Sequence, residues 1–135
     1  MKKLVQDIIN KLNTPSISFA DGRFTSTDYD IIYYEKGNLR YTDSSNDDKS
    51  LGIRVLIDGC WGFAGTNDLS KKSIDYTMNK AVQNAKHGAH FRKQKVTFPK
   101  LDPIRQSYIY EPKENPFIMS GEEKLAYFGN IAKLL

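Results

Sequence analysis

The sequence contains only one cysteine and two histidines among its 135 residues. The single thiol, Cys60, excludes an internal disulfide, and we therefore predict a reducing, cytoplasmic setting. No apolar run approaches the roughly 18 to 20 residues that a bilayer crossing requires, so no membrane partner is predicted. The first twelve residues begin with two lysines, but Asp7 and Lys11 interrupt the apolar region that a secretory signal needs.

A large excess of one charge is also absent. Lys and Arg together number 20 and Asp and Glu number 16, which gives a formal net charge of +4. Such a small excess permits an anionic partner without requiring one. Hydrophobic residues make up 39%, and 8 Tyr and 7 Phe supply large side chains for a core, so a disordered chain is excluded and a single folded domain is expected.

Hydrophobic spacing predicts an α+β fold. Leu4 to Leu12 has helical periodicity and is followed by a proline stop. The sheet is expected to be mainly antiparallel, with about five strands packed against two amphipathic helices, because turn pairs at Gly37-Asn38 and Asp58-Gly59 predict hairpins. The polar stretch from Thr42 to Ser50 is interpreted as a loop or a frayed strand end. The predicted strands are Ile17–Phe24, Tyr29–Glu35, Leu39–Asp43, Leu51–Ile57 and Cys60–Gly65.

The second helix has the clearest pattern. Ser70 is a plausible N-cap, Leu69 and Ile74 form a hydrophobic staple, and Gly88 is expected to end the helix. A proline-rich connection follows, in which only Ser107 to Tyr110 has strand character.

A capping box at Ser120-Gly121-Glu122-Glu123 predicts a further helix, whose pattern continues to Leu135 without a stop. We therefore predict a domain over residues 1–118 and the start of a following helix over residues 119–135.

Candidate sites for chemistry are few. His87 and His90 lack a third ligand and are interpreted as surface residues at a helix end. The run from Asp43 to Asp48 resembles a calcium loop, but Asp48 and Arg54 stand where that loop needs Gly and Glu. Cys60 has no nearby base and is expected to be half-buried. We predict no catalytic, cofactor-binding or metal-binding residue in this chain.

The basic stretch from Lys86 to Lys100, with Phe91 and Phe98 interleaved, leaves one alternative open. Such a segment can follow a phosphate backbone and stack bases, which would make the chain a small nucleic-acid-binding module. Because the overall charge is small and Trp61 to Phe63 lack the pattern of an RNA-binding strand, nucleic acid is not the partner we expect.

The segment from Leu51 to Asp68, LGIRVLIDGCWGFAGTND, closely resembles the signature hairpin of the TldD/PmbA family. Members of this family are metallopeptidases, also called modulators of DNA gyrase. The order of elements resembles the family's N-terminal domain as well. Further similar segments are Tyr33-Tyr34-Glu35, Tyr110-Glu111-Pro112, Asn115-Pro116-Phe117 and Ser120 to Lys124.

The resemblance implies a zinc-dependent peptidase that acts on peptides or unfolded segments, as a cytoplasmic homo- or heterodimer. Active members carry His-Glu-x-x-x-His and a later cysteine beyond the N-terminal domain, and this sequence has no such motif. We therefore predict a non-catalytic N-terminal domain that shapes the peptide cavity and supports subunit pairing, with zinc in the full-length parent. The alternative to this function is a small basic module that interacts with nucleic acid or with gyrase. Both a truncated and a free-standing chain are compatible with the sequence, and the unclosed final helix favours truncation.

The signature hairpin supplies the candidate site residues, as structural or peptide-facing positions. Its glycines, including Gly65, are expected to mark bulges or close approach by another chain, with bulges favoured. An extended peptide is expected to bind a sheet edge through backbone hydrogen bonds. The candidate residues are Gly52, Arg54, Asp58, Gly59, Trp61, Gly62, Phe63, Asn67 and Asp68.

Overall fold

The computed structural model describes residues 1–99, 101–102 and 104–134. Lys100, Pro103 and Leu135, which belong to the predicted basic stretch, the connection and the final helix, lie outside these residues. The described part of the chain contains three helices and an antiparallel three-stranded sheet, which confirms the α+β class. The elements are α1 (Lys2–Leu12), β1 (Phe19–Glu35), β2 (Asn38–Ile57), β3 (Cys60–Thr66), α2 (Lys71–Phe91) and α3 (Gly121–Ala132).

The chain divides into two compact units. The first consists of Met1–Thr27 and Asp47–Leu101, and the second of Asp28–Asn46 and Asp102–Leu135. Strands β1 and β2 each contribute residues to both units.

The core of the first unit lies between one face of the sheet and helices α1 and α2. Alternate residues of β2 point to this face, and the side chains of Ile53 and Val55 are fully buried there. We call it the inner face of the sheet, and the opposite face the outer face. The buried cluster contains Ile8 and Leu12 from α1, Leu51, Ile53, Val55 and Ile57 from β2, and Ile74, Met78, Ala81 and Ala85 from α2.

The sheet order β1-β2-β3 places β2 in the centre and leaves β1 and β3 as edges. Strands β2 and β3 pair without interruption from Leu51 opposite Thr66 to Ile57 opposite Cys60. The favoured hypothesis that the hairpin glycines mark bulges is therefore wrong, because a bulge would place two residues opposite one.

Three strands replace the five or so that the sequence predicted. The first two predicted strands are one strand, β1, and the next two are joined in β2 through the polar stretch 42–50. Exposed polar side chains are compatible with a strand whose neighbour supplies its backbone hydrogen bonds, so the polar composition did not indicate a loop. The first turn is at Lys36-Gly37 rather than Gly37-Asn38, because Lys36 and Gly37 have the positive φ angles of such a turn, 49° and 74°.

The helices also differ from the prediction, which counted two packed helices and a separate third. Helix α2 continues past Gly88 to Phe91, and a Cβ at Gly88 would lie 2.6 Å from the Cys60 sulfur. The glycine therefore allows β3 to approach the helix and does not end it. Helix α3 ends at Ala132 rather than continuing to Leu135. Residues 107–110 form no strand.

Within the second unit, α3 begins with the predicted capping box. The Ser120 hydroxyl accepts a hydrogen bond from the Glu123 N–H at 3.2 Å, and the Glu123 carboxylate accepts from the Ser120 N–H at 2.8 Å. The Tyr34 hydroxyl donates to the Leu125 carbonyl at 3.1 Å, and buried Lys124 forms an ion pair with Asp30. The contacts of Tyr34 and Asp30 hold α3 against the part of β1 that belongs to the same unit.

Among the described residues, no helix has both the length and the apolar character that a membrane crossing needs.

Candidate functional site

The turn between β2 and β3 is built by Asp58 and Gly59. Their φ angles of 48° and 71° are the left-handed values that a two-residue hairpin of this kind requires. The Asp58 carboxylate forms ion pairs with Lys95 at 2.7 Å and with Arg92 at 2.8 Å. The hydrogen bond from Lys95 and the charge of Arg92 lower the pKa of Asp58 below its usual value.

The segment of residues 92–98 passes around this turn and reaches the outer face of the sheet. The Val96 N–H donates to the Gly59 carbonyl at 2.9 Å, and a Cβ at Gly59 would lie 2.7 Å from the Lys95 Cβ. The Phe98 ring packs 4.1 Å from the Phe19 ring and 5.9 Å from the Trp61 ring, between centroids. Gly59 is therefore needed both for its φ and for the close approach of this segment.

Arg54 and Trp61 lie next to this aromatic cluster on the outer face. The Arg54 guanidinium carbon is 4.7 Å from the centroid of the Trp61 ring. Its Nε donates to the Asp21 carboxylate oxygens at 3.1 and 3.3 Å, and its Nη2 also contacts that carboxylate. The hydrogen bond that Arg54 donates to Asp21 raises the pKa of Arg54. The Arg54 charge is thus already paired within the chain.

Farther from the turn, the outer face contains an open depression of about 630 Å³. Its floor includes Gly52, which places no side chain on the sheet. The Phe63 side chain borders it and is 63% exposed. A Cβ at Gly52 would lie 3.4 Å from the Phe63 ring, so that ring lies beside the floor. Asp21, Arg23 and Arg54 line the other side.

Gly62 faces in the opposite direction, toward α2. A Cβ at this position would lie 2.7 Å from the Ala85 Cβ, and closer still to the Ala81 carbonyl and the Ala85 backbone nitrogen. The strand and the helix therefore pack backbone to backbone. Neither hypothesis for this glycine is correct, because its pairing with β2 is regular and its close neighbour is a helix of the same chain rather than another chain.

Asp68 organises the start of α2. Its carboxylate accepts hydrogen bonds from the Ser70 N–H at 2.8 Å and from the Ser70 hydroxyl at 3.0 Å, and Ser70 caps the helix by accepting from the Ser73 N–H. Asn67, the residue before it, is exposed. Asp68 therefore has a structural role at the end of the hairpin.

The edge of β3 that faces away from β2 offers backbone hydrogen-bonding groups. Because Ile57 and Cys60 flank a two-residue turn, they form a hydrogen-bonded pair, and the alternation directs the backbone groups of Trp61, Phe63 and Gly65 away from β2. The Asn84 side-chain amide donates to the Phe63 carbonyl at 2.9 Å. One acceptor of this edge is therefore occupied within the chain.

Zinc, which the family resemblance implies for the full-length parent, does not fit the donors of this chain. His87 and His90 are exposed on α2, and Cys60 lies against Gly88. The described residues contain no group of three or more His, Cys, Asp or Glu side chains placed to hold a metal ion. The residues 43–48, considered as a calcium loop, lie within β2.

Several residues that shape this site were not among those predicted for it, and Phe98 had been considered only for the nucleic-acid alternative: Phe19, Asp21, Arg23, Asn84 and Phe98. They are far from the hairpin in sequence, and only the pairing of strands and the course of residues 92–98 bring them to it. The one sequence signal that could have found one of them was the charge of Arg54, because an arginine in a strand needs an acceptor for its guanidinium, and Asp21 is that acceptor.

Comparison of the chain with known protein families finds a matching domain. Residues 20–85 match the sequence model of PmbA/TldA metallopeptidase domain 1. The matched residues run from β1 through the hairpin into α2. The predicted resemblance to the N-terminal domain of the TldD/PmbA family is therefore confirmed.

A relative of known class agrees with this result. The chain is 27% identical over 106 residues to metalloprotease MJ0996 of Methanocaldococcus jannaschii. The alignment covers 78% of this chain and 23% of that protein, so the chain spans about a quarter of the length of this relative.

Proposed function

We propose that this chain acts as the non-catalytic N-terminal domain of a metallopeptidase, where it shapes the cavity for peptides or unfolded segments and supports subunit pairing. The observation that carries this proposal is the match of residues 20–85 to the first domain of a metallopeptidase family. In this view the parent is a cytoplasmic dimer, and its zinc is held by residues outside this chain.

The side chains of this chain that could bind zinc support a non-catalytic role. Hydrolysis by zinc requires three protein ligands with an open position, and the described residues contain no such group. The two histidines, His87 and His90, are exposed near the end of α2 and belong to no such group among the described residues.

A peptidase assay tests this part of the proposal. The purified 135-residue chain, incubated with Zn²⁺ and fluorescent casein, is expected to hydrolyse no more substrate than a His87→Ala/His90→Ala variant. Hydrolysis that requires zinc and disappears in the double variant would contradict the non-catalytic role.

The exposed edge of β3 supports a role in holding peptides. A peptide that adds to this edge is bound through backbone atoms, so the binding tolerates many side chains, as a general peptidase requires. The outward N–H groups of Trp61, Phe63 and Gly65 are the donors for such a strand.

A matched pair of substitutions at Gly65 tests the edge. Proline is tolerated in an edge strand where its nitrogen faces outward, but it removes the donor, whereas alanine keeps it. Gly65→Pro is expected to weaken binding of an extended neutral peptide, measured by NMR titration of the full chain, and Gly65→Ala is expected to bind like the wild type. If both substitutions weaken peptide binding equally, the peptide does not bind at the edge of β3.

An apolar stripe on α3 supports subunit pairing. Tyr127 and Ile131 lie one turn apart on α3 and Leu134 follows just after its end, and the three side chains are 57%, 39% and 86% exposed. Sedimentation equilibrium of the full chain is expected to detect a dimer that Tyr127→Ser weakens and Lys133→Ser does not. A strict monomer would contradict pairing through this stripe.

The alternative of a nucleic-acid or gyrase-interaction module receives less support. Its proposed contact residues include Arg92 and Lys95, and both are bound to the Asp58 carboxylate. Phe98, the aromatic residue proposed for stacking, packs against Phe19 and Trp61. This alternative would be supported by a salt-dependent complex with DNA that is lost when Arg92, Lys93 and Lys95 are replaced together.

A further inference from the structure

The outer face of the sheet is covered at one end and open at the other. Near the turn, Phe98 from the segment of residues 92–98 covers Phe19 and Trp61. Farther along the same strands, the depression over Gly52 has no cover among the described residues. The open end combines an accessible backbone floor with an exposed aromatic side chain.

The charges around the depression are not equivalent. Arg54 and Asp21 neutralise each other through two-point contact, and Arg54 is further held over Trp61. Arg23 also lines the depression, and none of the ion pairs between described residues includes it. The depression therefore presents one uncompensated positive charge.

We infer that this depression is a subsite for an acidic side chain of an extended peptide, with Arg23 as the residue that binds the carboxylate. The inference rests on the proposed function and specifies a substrate preference for it. The planar guanidinium of Arg23 matches a carboxylate in shape and charge. The Phe63 ring supplies contact area for the apolar part of the peptide.

A single carboxylate fits this surface better than a phosphate group does. Arg23, Arg54 and Asp21 are the charged residues of the lining, and their net charge of +1 is compensated in full by one carboxylate. A phosphate dianion would keep one uncompensated negative charge at this surface. The peptide is therefore preferred over a nucleotide.

Two peptides test this inference on the full chain by calorimetry. Both have seven residues, are acetylated and amidated, and carry valines on both sides of a central Glu or Gln, so that only the side chain differs in charge. The wild type is expected to bind the Glu peptide up to about fivefold more tightly, which is the upper end of the range typical of an exposed ion pair. This preference is expected to decrease at high salt.

Substitutions identify the residue responsible. Arg23→Gln is expected to abolish the preference for Glu, whereas Lys72→Gln removes an exposed charge of the same sign on α2 and is expected to preserve it. Gly52→Ala adds a methyl group to the floor at an ordinary 3.4 Å from the Phe63 ring, so the variant is expected to fold and to bind both peptides more weakly.

The outcomes separate this inference from the proposed function. If the wild type binds both peptides equally, or if Arg23→Gln keeps the preference, the acidic subsite is wrong and a peptide-binding domain remains. If neither peptide binds, peptide binding by this domain fails and the subsite fails with it. Adenosine monophosphate that competes with the Glu peptide at equal or higher affinity would also overturn the assignment.

Discussion

Substitution of Gly62 by alanine tests the packing on which the hairpin depends. The added Cβ would lie 2.7 Å from the Ala85 Cβ and closer still to two backbone atoms of α2, at Ala81 and Ala85. Real Cβ atoms essentially never approach a neighbour within 3.0 Å, and a helix backbone cannot rotate away as a side chain can. The helix must therefore move away from β3.

The cost of this movement follows from the core that it disturbs. Overpacking a well-packed core costs typically 1–3 kcal/mol, and we expect about 3 kcal/mol here because the obstacle is backbone. With a urea dependence of about 2 kcal/mol per M for a protein of this size, the unfolding midpoint is expected to fall by about 1.5 M. Trp61, the only tryptophan, lies on the adjacent strand position and reports this unfolding by fluorescence.

Gly65→Ala on the same strand is the control. Its Cβ would meet only the Leu51 carbonyl, at 3.4 Å, so its midpoint is expected to stay close to that of the wild type. A Gly62→Ala protein with the wild-type midpoint would refute the backbone-to-backbone packing of β3 and α2.

Three further predictions concern the turn and the caps. Asp58→Asn keeps a residue type that tolerates left-handed φ but loses the ion pairs, so it is expected to be less stable than the wild type at pH 7. Because the pKa of Asp58 is lowered in the folded state, this difference is expected above the usual Asp pKa and to vanish as the pH falls through the folded-state pKa, which urea midpoints at several pH values will measure. Gly59→Ala combines a strained φ with a 2.7 Å approach to Lys95, and is expected to cost about 2 kcal/mol in the same assay, whereas an unchanged midpoint would contradict the turn geometry. Ser120→Ala removes the cap of α3 and is expected to cost about 1 kcal/mol, seen as faster hydrogen exchange of the Glu123 amide, and unchanged exchange would refute the capping box.

Local patterns in the sequence were sufficient for several elements. The periodicity of residues 4–12 predicted α1, Ser70 predicted the start of α2, and Ser120 with Glu123 predicted the capping box of α3. The Asp58-Gly59 turn between the predicted strands Leu51–Ile57 and Cys60–Gly65 predicted the hairpin. Each of these signals depends on residues a few positions apart, and the physics that acts on them is local.

Other features depend on partners that are distant in the sequence. A polar stretch becomes part of β2 because a neighbouring strand satisfies its backbone, and Gly88 stays inside α2 because Cys60 packs against it. Composition around either position favoured the opposite prediction, since a polar run and a glycine both commonly mark the end of an element.

The candidate site shows the same division. The sequence by itself determined the family resemblance, the hairpin and the residues on it, because a tight turn and an alternating strand are encoded within one short segment. Only the tertiary structure decided which face each residue occupies and what it meets: Gly62 against α2, Arg54 with Asp21, and Phe98 on Trp61. These contacts join residues more than 15 positions apart, and chain separation of that kind is resolved by packing of the whole unit rather than by any local preference.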